Sequence, residues 1–198
     1  MTAPDLLIAL RLKGFAKPEA LPDVLGRDPA ADLATLETAG LATATKLGAR
    51  LSPAGQAAAD AALAAERAAA DPIAAAALYD SFHAINAAFK ALVADWQLRD
   101  GQPNDHADAA YDAAILARLA GIHARLTPIV AAAAALAPRL ARYTPRFATA
   151  LARLTAGDIR FMAAPLLDSY HSVWFELHEE LIRLSGRTRA AEAAAGRA

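Results

Sequence analysis

Large apolar residues recur at heptad spacing twice in this sequence, and these two repeats constrain the fold more than any other feature. The first repeat has intervals of 4, 3, 4, 3 and 4 residues and consists of Leu78, Phe82, Ile85, Phe89, Leu92 and Trp96. The second lies near the C-terminus and consists of Tyr170, Trp174, Leu177, Leu181 and Leu184. Heptad spacing places all members of a repeat on one side of an α-helix. Because stripes so rich in aromatic side chains must pack against other helices, the sequence predicts an all-α bundle over residues 71–186.

The residues before the bundle carry a different pattern, in which glycines end short apolar segments. The glycines are Gly14, Gly26 and Gly40. Two β-prone runs then flank Leu47-Gly48, which is typical of a β-hairpin, and Ser52-Pro53 is a typical helix start. Helix, helix, helix, hairpin, helix is the order of a winged helix. We therefore predict a mainly α protein with an N-terminal winged-helix domain at residues 1–70, the helical bundle at 71–186 and a flexible tail at 187–198.

Two Thr-Pro dipeptides lie inside the predicted bundle, Thr127-Pro128 and Thr144-Pro145. Threonine is a favourable N-cap, and proline is tolerated at the first helical position because its missing N–H would have no partner there. Each dipeptide therefore predicts the start of a new helix.

Cysteine is absent from the 198 residues, and alanine supplies about three residues in ten. The absence of cysteine excludes a disulfide scaffold, a thiolate metal site and a thiol nucleophile. Although 56% of the residues are apolar, charged residues interrupt the alanine-rich stretches before they reach the roughly 18 apolar residues of a membrane span. The N-terminus lacks the basic region and long apolar run of a secretion signal. These features predict a cytoplasmic protein that does not associate with membranes.

Residues 33–55 resemble the signature of MarR-like bacterial regulators. The matching residues are Leu33, Leu36, Gly40 and Leu41, followed after the hairpin by Leu51, Ser52, Pro53, Ala54 and Gly55. In that family the third helix enters the major groove of DNA and the hairpin touches the minor groove. The resemblance covers about residues 5–65 and implies a set of DNA-contacting residues. They are Arg27, Thr35 and Thr38 of the third helix with Lys46 and Arg50 of the hairpin.

The predicted third helix lacks the cations that DNA binding normally uses. Residues 28–39 contain no Lys or Arg but include Asp28, Asp32 and Glu37. DNA recognition draws on Arg, Lys, Asn or Gln at base edges and on cations at phosphates. A homodimer would double the cations of the hairpin. The alternative is that the winged helix contacts another protein instead of DNA.

Charge is distributed unevenly along the chain, although the net charge is only −1. Residues 71–112 contain seven acidic and two basic residues, whereas residues 113–157 contain six arginines and no acid. Two interpretations are open. The acidic and basic helices pack against each other, or the arginines form a surface that faces an anion.

Two segments that combine polar and aromatic residues supply candidate ligand contacts. The candidates are Trp96, Arg99, His106, Tyr111, Tyr170, His171, Trp174 and His178. They would line a pocket for a small aromatic or anionic ligand, with Arg99 as the counter-ion. The alternative is that they hydrogen-bond between helices and fix the register of the bundle.

No metal site, catalytic residue or cofactor is expected. His171 and His178 lie about 10 Å apart along a helix, which is too far for both to bind one metal ion. The chain has no H-E-x-x-H motif, no calcium-loop spacing, no glycine-rich phosphate loop and no G-x-S-x-G motif. We therefore do not expect the chain to be an enzyme by itself.

Three further segments resemble a bacterial family whose members accompany phosphoenolpyruvate-utilising, dikinase-like enzymes. They are residues 10–16, 95–101 and 168–179. This resemblance implies a non-catalytic accessory or regulatory subunit with a dikinase-like enzyme as its partner. Our leading hypothesis is a dimeric winged-helix transcriptional regulator whose bundle dimerises and senses a small ligand. The accessory subunit, with the winged helix used for protein contact, is the alternative.

Overall fold

Four helices and a hairpin make up the first third of the computed structural model, which describes residues 3–196. In chain order they are α1 (Ala3–Lys13), α2 (Leu21–Leu25), α3 (Ala30–Thr38), β1 (Ala42–Thr45), β2 (Gly48–Leu51) and α4 (Pro53–Ala69). The two strands pair antiparallel, with Thr45 opposite Gly48. Ala16, after α1, forms a further antiparallel bridge to Ala49 of β2. We call these elements together the N-terminal module.

The hairpin and α4 approach each other closely in this module. A Cβ atom at position 55 would lie 1.9 Å from the carbonyl oxygen of Leu41, so only glycine fits there. Ser52 secures the same junction, because its hydroxyl donates to the Gly40 carbonyl at 2.7 Å and accepts from the Gly55 N–H at 3.1 Å. Beneath the hairpin lies a core of leucines from the first three helices. It includes Leu6, Leu7, Leu10, Leu21, Leu25 and Leu36.

Four long helices form the bundle. They are α5 (Pro72–Gln97), α6 (Ala109–Leu136), α7 (Tyr143–Thr155) and α8 (Tyr170–Leu184). All eleven residues of the two heptad repeats are buried. The stripes of α5 and α8 face each other, because the rings of Phe89 and Trp174 stack with their centroids 4.0 Å apart. The predicted mainly α class is therefore confirmed.

Proline at position 128 does not begin a helix, so that prediction is wrong. Pro128 lies inside α6, which continues unbroken from Ala109 to Leu136. The buried stripe of α6 continues on both sides of the proline, with Leu126 before it and Ile129 after it. Packing of this stripe keeps the chain helical despite the lost N–H. By contrast, Pro145 lies in the first turn of α7, close to the predicted helix start.

The connections between the bundle helices contain short regular elements. A second small hairpin joins α5 to α6 and pairs β3 (Leu98–Arg99) with β4 (Gln102–Pro103). A 3₁₀ helix at Pro138–Arg142 leads from α6 into α7. A second 3₁₀ turn at Ile159–Phe161 follows α7.

Residues assigned to the predicted flexible tail include a short helix, α9 (Arg189–Ala194). The Thr188 hydroxyl accepts from the Ala191 N–H at its start. Glu192 is buried and accepts a 2.6 Å hydrogen bond from the Tyr79 hydroxyl of α5. A flexible tail is not expected to make such contacts, whereas Glu192 of α9 is bound to a residue of the bundle. Residues 1–2 of the predicted N-terminal domain and residues 197–198 of the predicted tail lie outside the described residues.

Among the described residues, α6 is the one helix long and apolar enough to cross a membrane. Its composition reflects many alanines together with a stripe that packs in the bundle core. The buried residues are Ile115, Leu119, Ile122, Leu126, Ile129, Val130 and Ala133. The part of the chain that the structure describes thus carries no clear sign of a membrane protein.

Candidate functional site

One exposed face of α3 consists of small, uncharged side chains. Ala34, Thr35 and Thr38 line a shallow open depression on this face. Each threonine hydroxyl donates to the carbonyl four residues earlier, at 2.8 Å for Thr35 and 2.9 Å for Thr38. Because a hydroxyl oxygen also accepts hydrogen bonds, both side chains keep an acceptor and a methyl group directed away from the helix. This face therefore presents polar contacts without charge.

The acidic residues of this helix are held by contacts within the N-terminal module. Asp28 accepts from the Ala30 N–H at 3.0 Å, and Glu37 accepts from the Ala44 N–H of β1 at 2.8 Å. Asp32 forms an ion pair with Arg27. These partners hold the carboxylates at the start of α3 and beside the hairpin. The acids that the sequence counts against DNA binding thus have structural roles.

The five predicted DNA-contacting residues do not all lie together. Lys46 lies in the turn of the hairpin and Arg50 on β2, and both are exposed like the two threonines of α3. Arg27 is only partly exposed and lines a cleft of about 590 Å³ between the N-terminal module and α7. Arg146 and Arg153 of α7 line the opposite wall. The structure therefore places four of the predicted residues on exposed surface and the fifth in a cleft.

Four of the predicted ligand contacts come together around the α5–α6 connection. The rings of Trp96 and His106 lie 4.5 Å apart, and the Arg99 guanidinium lies over the Tyr111 ring at 4.8 Å. His106 is held by a 2.9 Å contact between its Nδ1 and a carboxylate oxygen of Asp112. These contacts fasten the connection to the ends of both helices.

The other four predicted ligand contacts lie along α8, where Tyr170, Trp174 and His178 are buried. Trp174 donates through Nε1 to Asn86 Oδ1 of α5 at 2.9 Å. Burial lowers the pKa of His178 to about 4, with a smaller contribution from the positive charge of Arg189. Burial also lowers the pKa of the half-buried His171. At neutral pH these two imidazoles are therefore uncharged groups.

The two sets of predicted ligand contacts form separate clusters. Trp96 follows Asn86, the partner of Trp174, by ten residues of the same helix, which corresponds to about 15 Å along the axis. Each set instead joins neighbouring helices through ring packing and hydrogen bonds. Within the described residues, no group of three or more His, Asp or Glu side chains is placed to hold a metal ion.

Glu180 of α8 is the centre of a buried charge cluster that sequence analysis does not single out. Arg139 donates to both of its carboxylate oxygens, at 2.5 and 2.6 Å, and Arg142 donates at 2.9 Å. Arg139 also donates two 2.7 Å hydrogen bonds to Glu66 of α4. Burial alone would raise the pKa of Glu180, but the two guanidinium groups lower it overall. The cluster therefore holds its charges at neutral pH and joins the N-terminal module to the bundle.

A second cluster joins α1 to α7 and α8. Arg146 donates to both oxygens of Asp168, at 2.7 and 2.6 Å, and to Glu176 at 2.8 Å. Lys13 at the end of α1 lies 2.5 Å from Glu176 and 3.6 Å from Asp168. The Arg146 side chain is 2% exposed. A positive charge of the N-terminal module thus completes a buried network of the bundle.

These clusters contain three of the six arginines of the arginine-rich segment, residues 113–157. Arg139, Arg142 and Arg146 are buried in ion pairs, so the interpretation that they face an external anion is wrong for these three. The first interpretation was that the acidic and basic segments pack together. Arg118 agrees with it, because it pairs with Asp95 of the acidic segment at 2.7 Å. A signal was present in the sequence, because positions 139, 142 and 146 are spaced three and four residues apart.

Comparison with known proteins gives no match: no family model fits the chain, and none of the curated proteins or solved structures is detectably similar to it.

Proposed function

We propose that this protein is a DNA-binding transcriptional regulator whose N-terminal module is a MarR-like winged helix. Support comes from the element order and from the bridge between Ala16 and Ala49, which adds a third short stretch to the hairpin. In a winged helix, the third helix and the hairpin form the DNA-contacting surface. In this chain they correspond to α3 and to the hairpin of β1 and β2.

The observation that carries this proposal is the arrangement of charge around α3. Asp32 is paired with Arg27, and Asp28 and Glu37 each cap a backbone N–H of the module. The face that would enter a DNA groove is then formed by Thr35 and Thr38, without a charged group between them. Exposed cations of the hairpin flank it and would contact phosphates.

We propose that the regulator acts as a homodimer in the cytoplasm. A largely apolar groove of about 640 Å³ runs between α5 and α6, lined by residues that include Ala77, Pro128 and Ala132. Ile73, near the start of α5, is 80% exposed. A second copy would cover this apolar surface and double the number of DNA contacts. Sedimentation of an Ala132→Glu variant tests the dimer, because a buried charge would dissociate it.

The regulator would respond to a small ligand bound between the N-terminal module and the bundle. This position differs from the one expected from the sequence, because Tyr170 and Trp174 are packed in the core. A ligand at the junction would contact the DNA-binding part and the dimerising part at once.

A mobility shift with DNA from the region upstream of its own coding sequence tests DNA binding. At about 50 mM salt, where phosphate contacts are strongest, the wild-type protein is expected to shift this DNA. Thr35→Glu should weaken binding at least about tenfold by placing a negative charge against phosphates. Lys46→Ala with Arg50→Ala should lower the slope of log K against log salt by about two per protomer.

Thr127→Glu is the matched control for the helix variant. Thr127 is exposed on α6 and donates to the carbonyl four residues earlier, as Thr35 does in α3. It should bind DNA like the wild type. A wild-type protein that fails to shift any DNA at low salt would contradict the regulator and favour the accessory subunit of a dikinase-like enzyme.

A further inference from the structure

Four arginines converge on one pocket at the junction of the N-terminal module and the bundle. The pocket has a volume of about 330 Å³, and its charged lining residues are Arg11, Asp60, Arg67, Arg183 and Arg187. Arg11 comes from α1, Asp60 and Arg67 from α4, and the other two from the end of α8 and the residues after it. The lining has four guanidinium groups and one carboxylate, and two further acids outside the lining, Asp80 and Glu179, each pair with one of the four.

Two of the arginines, Arg11 and Arg183, are held in place by the carboxylate of Asp60. Arg11 binds Asp60 through Nε and Nη2, at 3.0 and 3.2 Å, and Arg183 binds the same carboxylate through Nη1 at 3.3 Å. Each guanidinium has five N–H donors. Arg11 therefore keeps donors that Asp60 does not use, and Arg183 keeps donors beyond those bound to Asp60 and, at 2.8 Å, to Glu179. Asp60 thus brings together two cations that would otherwise repel each other.

The other two arginines of the pocket, Arg187 and Arg67, differ in how they are held. Arg187 is fixed at the edge by Asp80 at 2.9 Å and lies over the Tyr79 ring at 4.3 Å. Arg67 is exposed, and within residues 3–196 its guanidinium has no hydrogen bond or ion pair. Among the described residues, the Arg67 guanidinium is therefore a charged donor without a protein acceptor at this pocket.

We propose that this pocket binds the phosphate group of a small phosphate ester. Planar guanidinium forks match the oxygens of phosphate, and several together suit a doubly charged group better than a single carboxylate. The volume exceeds that of a phosphate ion alone, and Leu63 and Ala64 supply an apolar wall for an organic substituent. The bound phosphate would bridge α1 and α4 to α8. It is the ligand class for the response proposed above, but its binding does not require DNA.

Isothermal titration calorimetry with glycerol 3-phosphate and with inorganic phosphate, at ionic strength matched with NaCl, tests this site. Glycerol 3-phosphate is expected to bind the wild-type protein with a Kd below about 1 mM. Arg67→Gln should weaken binding at least about tenfold, because a charge-assisted hydrogen bond is lost. Since Arg67 is exposed and its guanidinium has no partner among the described residues, this variant should keep the wild-type fold, which circular dichroism checks. Arg125→Gln, at an exposed arginine of α6 outside the pocket, is the matched control and should bind like the wild type.

The relative affinities of the two ligands distinguish a phosphate ester from free phosphate. Tighter binding of glycerol 3-phosphate than of inorganic phosphate supports an ester, and equal binding would overturn that assignment. No heat beyond the NaCl background, or unchanged affinity in Arg67→Gln, would overturn the site itself. Displacement of the ester by duplex DNA at equal phosphate concentration would assign the pocket to the nucleic-acid backbone and overturn the small-molecule ligand. Failure of DNA binding is distinguishable, because it would leave these titrations unchanged.

Discussion

Arg139 and Glu180 form an ion pair from which water is excluded on both sides. The exposed fraction of the side chain is 6% for Arg139 and 0% for Glu180, and two hydrogen bonds of 2.5 and 2.6 Å join them. Removing one member of such a pair leaves the other charge buried and uncompensated, which costs far more than losing a pair at the surface. Both residues belong to the bundle, so this pair tests what a buried charge contributes to its stability, and Arg139 extends the network to Glu66 of the N-terminal module.

Glu180→Gln should lower the free energy of unfolding by about 3–5 kcal/mol, because Arg139 and Arg142 would then lack their buried carboxylate. Urea denaturation followed by tryptophan fluorescence measures this change. Asp95→Asn is the matched control, since the pair of Asp95 and Arg118 is about half exposed. It should cost about 1 kcal/mol or less. Equal effects of the two variants would contradict a special role for the buried cluster.

Asn86→Leu should destabilise the bundle by about 1–3 kcal/mol, because the indole N–H of Trp174 would lose its buried acceptor. The change is measured by chemical denaturation monitored by circular dichroism. A double-mutant cycle with Trp174→Phe isolates the hydrogen bond, since removing the donor as well should restore part of the loss. Strictly additive effects of the two substitutions would show that their contact contributes no stability.

Stability should fall as the pH is lowered from 7 to 5, because buried histidines resist protonation. Burial lowers the pKa of His123, His171 and His178, the last to about 4. Below the unfolded value of about 6.5, the unfolded chain therefore binds protons that the folded protein does not. The free energy of unfolding decreases by at most about 1.4 kcal/mol per pH unit for each such group. Carboxylates whose pKa is lowered in the folded protein, such as Glu180, also stabilise it. Their contribution to the free energy of unfolding is lost only nearer pH 4, below the range of this measurement.

His178→Gln separates this histidine from the other groups. The variant should show a shallower dependence of the urea midpoint on pH between 6.5 and 5, whatever its stability at pH 7. The measurement is a set of denaturation curves at half-unit pH intervals for both proteins. Parallel pH profiles would contradict a neutral, buried His178.

Tyr79→Phe should loosen α9 without unfolding the bundle. The substitution removes the hydroxyl that donates to Glu192 at 2.6 Å, while the ring stays in the core. Hydrogen exchange measured by mass spectrometry should then be faster for a peptide covering residues 187–196. Tyr111→Phe is the matched control, because its hydroxyl donates to the Asp95 carbonyl at the other end of α5. Unchanged exchange in Tyr79→Phe would show that this hydrogen bond does not hold α9.

The helices of the bundle are predictable because burial repeats along them. Phe89 and Trp174 belong to stripes with heptad spacing, and a helix is the structure that places such residues on one side. The start predicted at Thr127-Pro128 failed, although the same dipeptide at Thr144-Pro145 lies in the first turn of α7. At Pro128 the packing of residues on both sides, Leu126 and Ile129, keeps the chain helical, and the dipeptide alone does not reveal such tertiary packing.

The charged contacts are much harder to predict, because their partners are distant in the chain. Arg139 and Glu180 are separated by 41 residues, and Lys13 and Glu176 by 163. A count of charges by segment identifies the arginines but not the acids that they meet. The exposed face of α3 is predictable from helix periodicity, whereas the contact of Glu37 with the Ala44 N–H depends on the hairpin beside it.

The buried ion pairs join residues of the N-terminal module to residues of the bundle, and this affects any chimera that exchanges one of the two parts. Lys13 and Glu66 belong to the N-terminal module, but the groups that they neutralise, Glu176 and Arg139, belong to the bundle. A chimera that joins this module to an unrelated bundle would strand unbalanced charges on both sides of the new boundary. A stable chimera would therefore need the charged partners on both sides of the boundary to be transferred together.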